Sequence, residues 1–189
     1  MSGIDNIGNT CFAAAVIQLL RYCKPVVRLD LEYEDSVLQN FCNALYHGYD
    51  VKPFLDALPS LGYAKHEQHD ANEFMMKMID KLFPDENPFE GQITSILECA
   101  KGHTSITKYA VSSILVQGDV REGLVAHGVP EPVDAKCEKC GGALDKRMSV
   151  TCGKVLLIQI ARFSYDQRKL NHVVHIPPVI HNKHNMYLT

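Results

Sequence analysis

The sequence predicts an α+β fold, and three observations carry that reading. Apolar residues recur at helical spacing as far as Leu82, the pattern changes to strand alternation after Phe89, and 189 residues suffice for one compact core at roughly 150 residues per domain. A helical segment followed by a β-rich half is the α+β arrangement, and no internal repeat is visible.

Each element has its own warrant. The run FAAAVIQLLRY after Cys11 is apolar on nearly every face, which predicts a buried helix from Cys11 to Tyr22. Val37, Leu38, Phe41, Cys42 and Leu45 repeat at helical spacing, with Gly48 as a C-terminal stop. Pro53 opens a short helical stretch to Leu58. In the fourth helix Ala71, Phe74, Met75, Met78, Ile79 and Leu82 form one stripe. Asp70 and Glu73 give it a D-x-x-E start resembling a capping box, and Pro84 and Pro88 end it. Strand spacing follows at 93–97, 105–111 and 113–117, where β-branched and aromatic residues alternate. Residues 123–132 read as a loop with a short helical turn before it, and strand character returns at 147–151 and 154–163.

Composition excludes several functions. A net charge of −3 and no block of five like charges remove the footprint of a nucleic-acid binder or a polybasic membrane binder. The longest apolar runs, 12–17 and 155–158, are far shorter than the ~20 residues of a membrane helix, so a soluble protein is expected. The first residues lack the basic and then apolar regions of a secretion signal. Seven cysteines in a reducing compartment, cytoplasmic or nuclear, read as ligands, nucleophiles or core fillers rather than a disulfide framework.

Three constellations carry chemistry. In Asn6-Ile7-Gly8-Asn9-Thr10-Cys11-Phe12 a cysteine opens a helix, at the positive end of the dipole, where thiolate is favoured. Gly8 permits a tight turn, and the Asn6 amide and the Cys11 N–H together would make an oxyanion hole. The plainer alternative is that Asn9 or Thr10 caps a core helix and Cys11 is buried. In Gln68-His69-Asp70-Ala71-Asn72-Glu73-Phe74 the acids satisfy helix-start N–H groups, and the second Asp70 oxygen is available to a cationic ligand. Cys137-Glu-Lys-Cys140-Gly141-Gly142 has the C-x-x-C-G form of a zinc knuckle; with Cys99 and His103 upstream it makes a candidate Cys3His site. The alternative leaves Cys99 in the core and His103 in a solvated turn. Cys23, Cys42 and Cys152 lie in apolar segments and read as core, and no local pattern marks His172, His175, His181 or His184 as a catalytic base.

These segments, in this order, resemble the ubiquitin-specific protease family of deubiquitinases over nearly the whole chain. GIDNIGNTCFAAAVIQ resembles the family's Cys box, QHDANEFMMKMIDKL its Gln-Asp box and CEKCGG its zinc-ribbon pair; LLIQIARF followed by Lys169-Leu170-Asn171 is similar to the strand and turn preceding its His box. The resemblance implies a papain-like cysteine peptidase with a helical thumb (1–88), β-rich zinc-ribbon fingers (89–152) and an incomplete palm (153–189). It makes Cys11 the nucleophile, Asn6 an oxyanion donor, and Gln68 and Asp70 neighbours of the arginine-bearing tail of ubiquitin, with Cys99, His103, Cys137 and Cys140 holding structural zinc. The sequence departs from the family at Ala14, where Asn is usual, and at His103, where a cysteine is usual.

The family's general-base His and its orienting Asp or Asn lie beyond a strand beginning Tyr-x-Leu, and the sequence ends at Tyr187-Leu188-Thr189. Four explanations stand: a truncated chain, a second polypeptide completing the palm, a ubiquitin-binding module without turnover, or substitution by His181 or His184. The first two rank highest, because ending where a core strand begins leaves an unpaired edge. A third function, a zinc-ribbon interaction domain with a structural Cys11, completes the readings.

Overall fold

Helices dominate the first unit because their apolar stripes need one another. A computed structural model describes residues 3–23, 32–47, 50–64, 66–163, 166, 168–180 and 186–187. The chain divides into Met1–Pro88 and Phe89–Thr189. The expected stop at Gly48 and the histidines His181 and His184 lie outside the described residues. No helix among the described residues is long and apolar enough to cross a membrane.

In the first unit α1 spans Cys11–Cys23, α2 Ser36–His47, α3 Lys52–Ala57 and α4 Ala71–Leu82, with a 3-10 turn at Leu58–Leu61. The first helix is not apolar-buried all round as its composition predicts. Phe12, Ala13, Val16, Ile17 and Leu20 are buried, while Cys11, Ala15, Leu19 and Tyr22 are exposed. Spacings of three and four put those exposed residues on one face, away from the core. Arg21, although charged, is buried and donates twice to the Ala44 carbonyl, tying α1 to α2. Asp35 caps α2 through the N–H groups of Val37 and Leu38. Phe41, Phe54 and Phe74 are completely buried, and edge-to-face contacts link Phe41 to Phe54 and Phe12 to Phe74.

The second unit contains β1 (Gly91–Cys99), β2 (Thr104–Val111), β3 (Ser113–Val116), α5 (Val120–Ala126), β4 (Glu131–Lys136), β5 (Ala143–Thr151), β6 (Leu157–Ile160), β7 (Val179–Ile180) and β8 (Met186–Tyr187). An antiparallel sheet has the order β2-β1-β5-β4; β3 pairs parallel with β6, and β7 antiparallel with β8. Residues 123–132 are not one loop: α5 runs through Gly123 to Ala126, and Glu131 and Pro132 already belong to β4. That strand carries proline and charge because it is a sheet edge, where a missing donor and solvated side chains are tolerated. The strand expected over 154–163 shortens to Leu157–Ile160, matched residue for residue to its four-residue partner β3.

Candidate active site and metal centre

The first turn of α1 is built by its N-terminal loop. Thr10 is the buried N-cap, its carbonyl accepting from Ala14 N–H at 3.0 Å. Its hydroxyl turns back into the loop, accepting from Ile7 N–H and donating to Asn6 Oδ1. Asn6 Oδ1 also accepts from Thr10 N–H at 2.9 Å. A backbone N–H can only donate, so this bond fixes which end of the Asn6 amide is oxygen and leaves Nδ2 turned away from Thr10. Cys11 follows as the first helical residue with its thiol exposed, against the alternative that it is buried. Ala14, the residue that departs from the family pattern, is half-buried in the same turn.

Gln68 and Asp70 are both exposed just before α4. Asp70 accepts from Asn72 N–H at 2.7 Å and Glu73 N–H at 2.9 Å, both through Oδ1, so Oδ2 is uncommitted among the described residues. Among the described residues Glu73 makes no return bond to the Asp70 N–H, so the capping box is half formed. Phe12, adjacent to Cys11, sits at the centre of an aromatic cluster with Tyr63, His69 and Phe74 at centroid distances of 5.1–5.3 Å. The loop before α1 and the box before α4 therefore share one packed foundation. Sequence reasoning missed this cluster's other members, Tyr63 and His69. Tyr63 Oη and His69 Nε2 are buried without a protein hydrogen-bond partner among the described residues. Burial, with the Glu73 carboxylate adding to it, pushes the Tyr63 phenol above its ordinary value.

In the second unit the ligand atoms of Cys99, His103, Cys137 and Cys140 lie within 4.8 Å of one another. Cys99 Sγ is 3.7 Å from Cys140 Sγ, and Cys137 Sγ is 3.6 Å from His103 Nδ1. A tetrahedron with zinc bond lengths has edges of about 3.8 Å between sulfurs and about 3.6 Å from sulfur to nitrogen. The Cys99–Cys140 and Cys137–His103 edges match that tetrahedron, and the four ligand atoms together are close enough to hold a metal ion. Each pair comes from a tight turn: Gly102 N–H donates to Cys99 O, while Gly141 N–H donates to Cys137 O with Gly141 at φ 66°. That left-handed conformation explains the glycine of the C-x-x-C-G pattern. Burial opposes ionisation of Cys99, but backbone N–H groups of His103 and Lys101 and the thiols of Cys140 and Cys137 bring it down to about 7. The Gly142 N–H favours a Cys140 thiolate, yet burial and the neighbouring sulfurs hold its thiol above the ordinary value. Adjacent sulfurs resist sharing two negative charges, which a dication would neutralise.

The remaining site expectations fare differently. Cys23 and Cys42 are core, whereas Cys152 is only half-buried. His172 and His175 are exposed and tie down their segment through the backbone: the His172 carbonyl accepts from Arg162, and His175 N–H donates to Asp119.

As a class, this is an α+β chain with an exposed thiol at a helix start and a Cys/His ribbon able to hold a metal ion. The sequence matches the family described as "Ubiquitin carboxyl-terminal hydrolase" over residues 2–188. The chain belongs to that family. The human protein "Ubiquitin carboxyl-terminal hydrolase 42" is 32% identical over 99 residues, covering 43% of this chain and 8% of the relative. A chain of the SAGA Ubp8/Sgf11/Sus1/Sgf73 DUB module bound to ubiquitin aldehyde superposes with a TM-score of 0.73 at 17% identity, covering 95% of this chain and 52% of that one. A chain of that module bound to monoubiquitin gives 0.72 at 17%, covering 95% and 53%. At that identity the likeness is one of fold. The chain thus spans about half the length of the solved relatives and a small part of the human one.

Proposed function

We propose that this chain is part of a deubiquitinase that hydrolyses isopeptide or peptide bonds at the C-terminus of ubiquitin, with Cys11 as nucleophile. The observation that carries the reading is the exposed Cys11 thiol at the start of α1, beside an Asn6 amide whose orientation is fixed. The Cys11 sulfur attacks the C-terminal carbonyl of ubiquitin, forming a C–S bond while the carbonyl π pair moves onto oxygen. Asn6 Nδ2 and the Cys11 N–H donate to that oxyanion. Its collapse breaks the C–N bond and expels the amine, which takes up the proton the thiol gave up; water then attacks the thioester carbonyl, freeing the ubiquitin carboxylate and restoring the Cys11 thiol. Gln68 and the Asp70 Oδ2 face the arginine-bearing tail. The general-base His and its orienting Asp or Asn that this chemistry needs are not assigned to residues of this chain, which spans about half the length of the solved relatives.

In the same reading Cys99, His103, Cys137 and Cys140 hold structural zinc, which the sulfur and nitrogen spacings favour. When bound, the ion supplies a cross-link rather than reaction chemistry. The test uses ubiquitin bearing a C-terminal electrophile. Covalent labelling of the wild type, abolished in Cys11→Ser, is expected; no labelling of a longer polypeptide carrying a downstream H-x-G segment overturns the proposal.

A further inference from the structure

Asn9 and His66 both hold left-handed backbone, with φ of 53° and 79°, and are the non-glycine residues with positive φ among the described residues. That conformation is costly for a residue bearing a Cβ, and Asn tolerates it better than His. The two strained residues meet: Asn9 Nδ2 donates to the His66 carbonyl at 2.6 Å, although 57 positions separate them. Gly8, at φ 110°, approaches the same turn so closely that a Cβ there would lie 3.2 Å from His66 Nδ1. Two successive residues of the peptide leading to Cys11 are therefore gripped by the turn that precedes Gln68 and Asp70. Paired strain of this kind persists only where the surroundings over-determine it.

The gripped loop has Asn6 at one end and Cys11 at the other. Between Asn9 and Cys11 stands Thr10, whose N–H and hydroxyl hold Asn6 Oδ1 at 2.9 and 3.2 Å, so a shift at Asn9 would pass through Thr10 to the aim of the Asn6 amide. We infer that Asn9, through its bond to the His66 carbonyl, is a positioning residue that fixes the Asn6 amide relative to the Cys11 thiol. The inference rests on the proposed roles of Cys11 as nucleophile and Asn6 as oxyanion donor.

Ubiquitin aldehyde tests it without a leaving group. The Cys11 sulfur bonds to the aldehyde carbon, the carbonyl π pair moves to oxygen, and the thiol proton ends on that oxygen as a hemithioacetal. Plain ubiquitin binds without this bond, so the ratio of the two affinities isolates the adduct. Asn9→Ala and Asn9→Asp are each expected to lower aldehyde affinity about tenfold, part of the ~10² to 10³ that one oxyanion donor is worth. Plain-ubiquitin affinity and the iodoacetamide alkylation rate of Cys11 stay unchanged. The Asp variant keeps side-chain size and tolerance of left-handed backbone while replacing the donor with an acceptor. Variants that bind the aldehyde as tightly as wild type overturn the inference. A parallel fall in both affinities or in alkylation also overturns it, because that marks a general loss of loop structure. All variants are made in the longer polypeptide carrying the downstream H-x-G segment; if its wild type does not discriminate aldehyde from ubiquitin, the nucleophile reading falls, and this inference with it.

Discussion

The helix cap that Asp70 makes and the ubiquitin-tail contact proposed for it have different chemical requirements, so substitution separates them. Asn is as good an N-cap as Asp but carries no charge, whereas Ala can do neither task. Asp70→Asn is expected to keep the unfolding midpoint in urea, while Asp70→Ala loses about 1 kcal/mol through the freed N–H groups of Asn72 and Glu73. Both should weaken ubiquitin binding about tenfold or more by loss of a charge-assisted contact, read by fluorescence anisotropy. Wild-type affinity in the Asn variant would remove Asp70 from the tail groove. Tyr63 gives a second prediction. Its phenol is raised above its ordinary value of 10.0, so its contribution to stability is present below that value and lost as pH rises through the folded-state pKa. Tyr63→Phe should remove that alkaline loss and, because Oη has no protein partner among the described residues, leave stability at pH 7 unchanged or higher. Thermal melts from pH 7 to 11 read both effects, and a loss above ~1 kcal/mol at pH 7 would mean the hydroxyl is bonded. The helix start at Cys11 and the Asp70 cap were legible in the sequence because their signals are local. The Asn9 bond to His66 and the Phe12 contact with His69 were not, since each joins residues more than fifty positions apart.

At the scale of elements, helices were easier to read than strands. Stripes such as Phe74, Met75, Met78, Ile79 and Leu82 announce a helix without reference to anything else. An edge strand such as β4, reading Glu-Pro-Val-Asp-Ala-Lys, is stabilised by its neighbour β5 and shows little in its own composition. The ribbon turns were legible because sulfur spacing and a following glycine are chemical requirements of a small closed turn. One zinc per chain is expected by elemental analysis, with loss of the metal in Cys140→Ser. Removing it with a chelator should speed amide hydrogen exchange in β1, β4 and β5 and leave α1, α2 and α4 protected. Uniform loss of protection across both units would contradict a local role for the ion.

The whole molecule distributes its core unevenly. Among the largest fully buried side chains, Phe41, Phe54, Phe74, Ile17, Leu45, Leu55, Leu58, Met78 and Ile79 belong to the helical unit, and Phe89 and Val116 to the second. Around the ribbon the buried residues are Cys99, Cys137 and Leu144, with Leu97, Val133 and Cys140 against them. So small a cluster is the situation in which a metal staple matters most. Calorimetry with a chelator present should separate into two transitions, the β-rich unit melting first, and added zinc should move only that one upward. A single unshifted transition would refute it. The parallel β3–β6 pair and the β1–β5 pair also set an order of events in time. Each joins strands about forty residues apart, a slow closure, whereas the β1–β2 and β4–β5 hairpins close locally and quickly. Every hairpin brings its own half of the Cys/His set, so an ion caught between two finished hairpins shortens the search that β1 and β5 must make. With an ion bound the ribbon would act as a kinetic guide as well as a staple, so refolding is expected to quicken when zinc is present from the first moment rather than added at the end.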